Sequence, residues 1–70
     1  MEKEQVATQR NYICHSSNFD QPFTGCVIKK LENSCIVEII RWTAEDEFMV
    51  FDLLSKTVIP YAQIVKKEDE

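Results

Sequence analysis

Apolar positions gather in Phe23–Arg41, FTGCVIKKLENSCIVEIIR, as two strand-like runs rich in β-branched residues on either side of the polar Glu32-Asn33-Ser34. The pattern predicts a hairpin with strands Phe23–Leu31 and Ser34–Trp42 and a turn centred on Glu32-Asn33, since Asn tolerates a positive φ in tight turns. In that register Leu31 faces Ser34, Lys29 faces Ile36 and Val27 faces Glu38. Side chains alternate across a strand, so Cys26, Ile28, Cys35, Val37 and Ile39 form the predicted core face. The opposite face mixes Val27, Ile36 and Ile40 with Lys29 and Glu38, which stand as diagonal neighbours. Such a half-apolar face needs covering, by Phe48–Leu54, by the N-terminal segment or by a second copy in a homodimer.

Shorter runs flank the hairpin. Arg10–His15, RNYICH, reads as a first strand, with a short helix as the alternative, and ends at the turn-forming Ser16-Ser17-Asn18 followed by Asp20 and Pro22. Thr43–Glu47 reads as an acidic loop. Phe48–Leu54, FMVFDLL, is apolar enough for a buried strand, although it also fits one and a half helical turns; its length and aromatic content favour the strand. Ser55-Lys56 turns the chain into Thr57–Ile59, and Pro60, which has no N–H for a ladder, ends that strand. Pro60–Gln63 is then a single 3₁₀-like turn before a last strand at Ile64–Lys66.

These elements predict a mostly β fold, a small SH3-like or Sm-like antiparallel five-stranded barrel with one 3₁₀ turn near Pro60. Gly25 fits a sharp strand bend, where it tolerates positive φ and lets another backbone approach. Residues 1–70 make one domain, with MEKEQ and KKEDE pointing to disordered tails at about 1–7 and 68–70.

At FTGCVIKKLENSCIVEII and KTVIPYAQIVK the chain resembles the small YkvS-like bacterial proteins of unknown function. The matching positions are Phe23, Gly25, Val27, Glu32-Asn33-Ser34, Ile36-Val37-Glu38 and Lys56-Thr57-Val58. The chain departs from that pattern at Ser17–Asp20, where the family has a Val-Gly-Asp type turn, and at Pro60-Tyr61, where it has Asn-His. The resemblance implies a KOW-like or SH3-like barrel and brings no activity with it.

Composition narrows the function classes. A chain of 70 residues buries only about 60% of its unfolded surface, so its core is thin and a deep substrate cavity has little room. Twelve acidic residues against eight basic ones leave a net charge of -4, the opposite of the basic excess that drives phosphate binding. Nucleic acid is therefore disfavoured as a partner unless Arg10, Lys29, Lys30, Arg41, Lys56, Lys66 and Lys67 gather on one edge. No apolar run approaches the roughly 20 residues of a membrane span, and the N-terminus has no apolar leader core, so a cytoplasmic protein is expected. Three cysteines without a C-x-x-C read as reduced thiols, buried as small apolar groups.

The candidate chemistry is sparse. Cys14 and His15 are adjacent, yet neighbouring strand residues point to opposite faces and nothing orients the imidazole. Cys14, His15, Cys26 and Cys35 are ligand types for zinc without the paired spacing that pre-positions ligands, so neither a metal nor another cofactor is expected. Glu45, Asp46 and Glu47 read as a solvated acidic loop. Most aromatics must fill the core, leaving Trp42 at a strand end and Tyr61 on the 3₁₀ turn as those expected at the surface. The resulting expectation is a noncatalytic module that binds another protein through Trp42, Tyr61 and Arg41. The alternative is an RNA-binding or transcription- or translation-associated module using Arg10, Lys29 and Lys30.

Overall fold

Val27 and Val37, both fully buried, face each other across the central hairpin of the computed structural model, which describes residues 1–68. The hairpin strands are β2 (Phe23–Lys30) and β3 (Ser34–Arg41). Around them lie β1 (Asn11–Cys14), β4 (Lys56–Pro60) and β5 (Ile64–Lys67), all antiparallel, in the sheet order β4-β3-β2-β1-β5. A 3₁₀ turn at Tyr61–Gln63 joins β4 to β5, as the position of Pro60 predicts.

The expected hairpin register holds near the turn and fails beyond it. The Leu31 amide donates to the Ser34 carbonyl at 2.8 Å, and Lys29 opposes Ile36. The ladder then slips between Val27 and Lys29, so that Val27 opposes Val37 and Cys26 opposes Glu38. Ile28 is the extra residue of a β-bulge, and one extra residue exchanges the two faces of everything preceding it. The predicted core residues of β3, Cys35, Val37 and Ile39, are buried as expected. On β2 the assignment is corrected: Val27 is interior and Ile28 exposed. Glu38 consequently sits between Cys26 and Lys56, away from the expected diagonal with Lys29.

Gly25 is needed for space. Its φ is not positive. A Cβ there would lie 3.1 Å from the Val37 Cβ, 3.2 Å from the Val37 Cγ2 and 3.5 Å from the Cys14 Sγ, so β1 and β3 close over the glycine. A second register shift between Thr24 and Gly25 leaves Ile40 as the extra residue on β3.

Phe48–Leu54 is not a strand. Glu47–Asp52 forms a six-residue helix, α1, with Val50 buried and Met49 and Leu53 packed against the core. Those three positions follow the helical period, and tertiary packing holds a helix too short to persist alone. Its end is a Schellman motif: the Ser55 amide donates to the Val50 carbonyl at 2.9 Å and the Leu54 amide to the Phe51 carbonyl at 3.1 Å. Leu54 occupies the left-handed position, φ 56°, where glycine is the usual residue.

The acidic loop ahead of α1 is also corrected. Asp46 is buried, and its two carboxylate oxygens accept the Asp20 and Gln21 amides at 3.0 Å each. This carboxylate ties the β3–α1 connection to the loop after β1, in which Phe19 stacks on Phe23 with ring centroids 4.6 Å apart.

Residues 1–7 are packed, contrary to the expectation of a tail. Val6 is buried, the Ala7 amide donates to the Tyr12 hydroxyl at 2.8 Å, and the Met1 ammonium bonds the Tyr61 and Ile64 carbonyls. A core this thin recruits Met1 and Val6 to seal one side. Of the other expected tail, Glu68 is bonded to the body, and residues 69–70 lie outside the described residues.

Two substitutions test this packing. Gly25→Ala lowers unfolding free energy by about 2 kcal/mol, the scale of overpacking, and costs markedly less in a Val37→Ala background, measured by denaturant titration as a double-mutant cycle. Asp46→Ala removes two charge-assisted hydrogen bonds and strands two amides, for a loss of about 3 kcal/mol on the same assay.

Candidate functional site

The residues expected to form one partner site are held at opposite ends of β3. Tyr61 follows Pro60, which pairs with Ser34 at the start of that strand, whereas Arg41 ends it and Trp42 follows. Eight extended residues separate the two ends by roughly 25 Å. Tyr61 is only 7% exposed, which corrects the expectation of a surface aromatic. Its ring joins the core, and its hydroxyl donates to the Leu31 carbonyl at 2.6 Å.

Trp42 is half-buried and lines a shallow cleft of about 210 Å³ with Ile13, Pro22, Phe23, Thr24 and Arg41. The Arg41 guanidinium is paired with the Glu68 carboxylate, which also accepts the Thr24 hydroxyl at 3.0 Å. These two hydrogen bonds, the Arg41 one foremost, hold the Glu68 carboxyl below its ordinary range. Trp42 and Arg41 therefore share a surface, with the arginine already engaged. A larger open groove of about 590 Å³ lies at the other end, between Met1–Lys3, Glu32-Asn33 and Pro60–Ala62, bridged by the exposed Lys3–Glu32 pair at 3.6 Å.

The basic trio is not a uniform cationic patch. Arg10 and Lys29 are exposed, but Lys30 donates its amine to the Val6 carbonyl at 2.5 Å and so locks the N-terminal segment onto β2.

The thiols and the histidine are dispersed. Cys14 and Cys35 are buried and Cys26 is half-buried, all three free, while His15 is exposed with its amide donating to the Gln63 carbonyl at 2.9 Å. Cys14 is thus interior, and His15, just past the end of β1, is at the surface. Among the described residues no group of three or more His, Cys, Asp or Glu side chains is placed to hold a metal ion. Burial first, then the neighbouring Cys35, pushes the Cys14 thiol up to about 12, and burial also raises Cys35. Both are poor nucleophiles at neutral pH.

The surface that sequence reasoning missed is on α1. Phe48, Phe51 and Leu54 are 82%, 62% and 83% exposed, at three-residue spacing along the helix and its closing turn. Phe48 and Phe51, three apart on α1, share a helix face, and the exposed Leu54 continues this apolar stripe along the chain into the left-handed closing turn. Glu45, Glu47 and Asp52 are exposed around it. The signal was present in FMVFDLL: once positions 49, 50 and 53 face inward at helical spacing, 48 and 51 must face out. Among the described residues no helix is long and apolar enough to cross a membrane.

Compared with family models, with curated proteins and with solved structures, the chain matches none.

The thiol placement sets a pH dependence. Cys14 and Cys35 stay protonated in the folded chain and ionise in the unfolded chain near pH 9, so stability holds below that pH and falls as pH rises from 9 toward 12. Chemical denaturation at stepped alkaline pH reads this decline, and Cys14→Ala makes it shallower. At pH 8 a thiol reagent labels Cys26 rapidly, and Cys14 and Cys35 only on unfolding.

Proposed function

We propose that this chain is a noncatalytic protein-interaction module on a small barrel of the SH3-like or Sm-like kind. The barrel reading is supported by the strand order, by two bulges that curl the central hairpin, and by the 3₁₀ turn linking the two outer strands. The three free thiols accord with a reducing, cytoplasmic setting.

The observation that carries the interaction reading is the exposed stripe Phe48, Phe51 and Leu54. Clustered large apolar side chains at the surface of so small a domain mark a contact surface. They make no part of the core, so folding gives no reason for their identity. The Arg41–Trp42 cleft is an adjunct on the same module, with Glu68 as the group a partner would displace. The nucleic-acid reading has less behind it, because Lys30 is internally bonded and the chain carries a net charge of -4.

Affinity capture from nuclease-treated cell extract, with the wild type beside Phe48→Ser/Phe51→Ser, tests this. A partner held by the wild type, resistant to nuclease and lost from the variant, is the expected result, with the two proteins matched in circular dichroism. Retention of nucleic acid alone, or of the same proteins by both forms, would refute the reading.

A further inference from the structure

We infer that the α1 stripe docks a basic amphipathic helix of a different protein, a deepening that rests on the interaction reading above. Three observations select this occupant. The first is charge: the exposed Glu47 and Asp52 adjoin Phe48 and Phe51 on α1 and the exposed Glu45 precedes the helix, while Lys56, the nearest cation along the chain, lies opposite Glu38 in the β3–β4 ladder. An apolar face with an acidic rim is complementary to one bearing lysine or arginine. An anionic membrane surface is repelled by the same rim.

The second is area. A six-residue helix is about 9 Å long, and three side chains on it offer a few hundred Å² at most, well short of the roughly 800 Å² per partner of a standard interface. A contact this small needs charge complementarity whatever the partner, and a second copy seated stripe to stripe would instead oppose two sets of three carboxylates. A basic helix gains from the charges that penalise self-pairing.

The third is Leu54. A leucine at a left-handed helix end is disfavoured relative to glycine, and here its side chain makes no part of the core. Strain of this kind points to a use for the side chain. The Asp46 bonds to Asp20 and Gln21 hold the start of the helix in place, so the stripe is presented on a rigid support.

The probe is an 18-residue designed peptide of leucine and lysine with leucines at helical i, i+3, i+4, i+7 spacing, beside the same peptide with glutamate for lysine. Amide chemical-shift titration of the full chain should show binding of the lysine peptide only, at tens of micromolar, with shifts centred on residues 47–55. Phe48→Ser/Phe51→Ser should weaken it at least tenfold. Glu45→Gln/Glu47→Gln/Asp52→Asn should weaken it severalfold and flatten its salt dependence. Leu54→Gly should weaken it severalfold while raising the unfolding midpoint, an opposition that simple misfolding does not produce. Equal binding of the two peptides, shifts centred on the Trp42 cleft or on β2, or a dimer in sedimentation that the double serine variant dissolves, would each overturn the basic-helix assignment. If capture of a nuclease-resistant partner still depends on Phe48 and Phe51 in that case, the interaction reading stands and the partner chemistry alone falls.

Discussion

Val27 meets Val37 across the central hairpin only because Ile28 is bulged out of the ladder. Without that extra residue β2 would turn Cys26 and Ile28 inward and Val27 outward, and the face presented to β3 would be a different one. The bulge also sets the phase that places Gly25 under Val37 and beside the Cys14 sulfur. One residue of excess thereby decides which side chains form a core with few layers to spare. The compensating bulge at Ile40, on the other strand, adds local twist at the far end of the same hairpin. Bending of this kind helps bring the two outer strands, β4 and β5, within the span of a three-residue 3₁₀ turn.

The second support is polar and pins the loop after β1, whose first residue, His15, bonds the Gln63 carbonyl of that turn. Asp46 is a buried carboxylate whose cost of desolvation is offset by two backbone amides from a loop otherwise anchored by Phe19. It makes no side-chain cap of its own helix, since its oxygens are engaged across the loop. The long connection between β3 and β4 is consequently not a loose excursion. It is pinned at its start by Asp46, in its middle by Val50 and at its end by the Schellman bonds, and the pinning leaves one face of α1 to solvent.

How much of this was legible in the chain can be traced residue by residue. The strands, the hairpin turn and the 3₁₀ turn after Pro60 follow from local signals, namely β-branched runs, an Asn-containing turn and a residue with no N–H. The bulge at Ile28 is not local: nothing in VIKK distinguishes a regular ladder from a slipped one, and the choice is made by the fit of Val27 and Gly25 against β3. Phe48–Leu54 failed for a related reason. Its composition suits a strand, and only the inward placement of Met49, Val50 and Leu53 reveals the helical period. Asp46 was hidden in a run of three acidic residues, Glu45-Asp46-Glu47, that look alike in sequence and differ in burial. Tyr61 was misplaced because its position on a 3₁₀ turn suggested the surface, when the Leu31 carbonyl at the hairpin turn takes its hydroxyl and allows the whole ring to be interior.

The residues that fold this domain and those that characterise its surface are largely separate sets, and the separation bears on function. Phe48, Phe51 and Leu54 can be exchanged for polar residues, or in one case glycine, without emptying any part of the core. Their apolar character is a cost in water that folding does not recover. A phosphate-binding surface has no use for them and needs gathered cations instead, yet of the candidates Arg10, Lys29, Lys30 and Arg41, Lys30 bonds the Val6 carbonyl and Arg41 the Glu68 carboxylate, leaving Arg10 and Lys29 exposed. Apolar stripe and acidic rim are coherent only as one surface, whose complement is apolar at its centre and positive at its edge. The rim also opposes closure on another copy, since the contact that would bury the three side chains is the one that brings the carboxylates together.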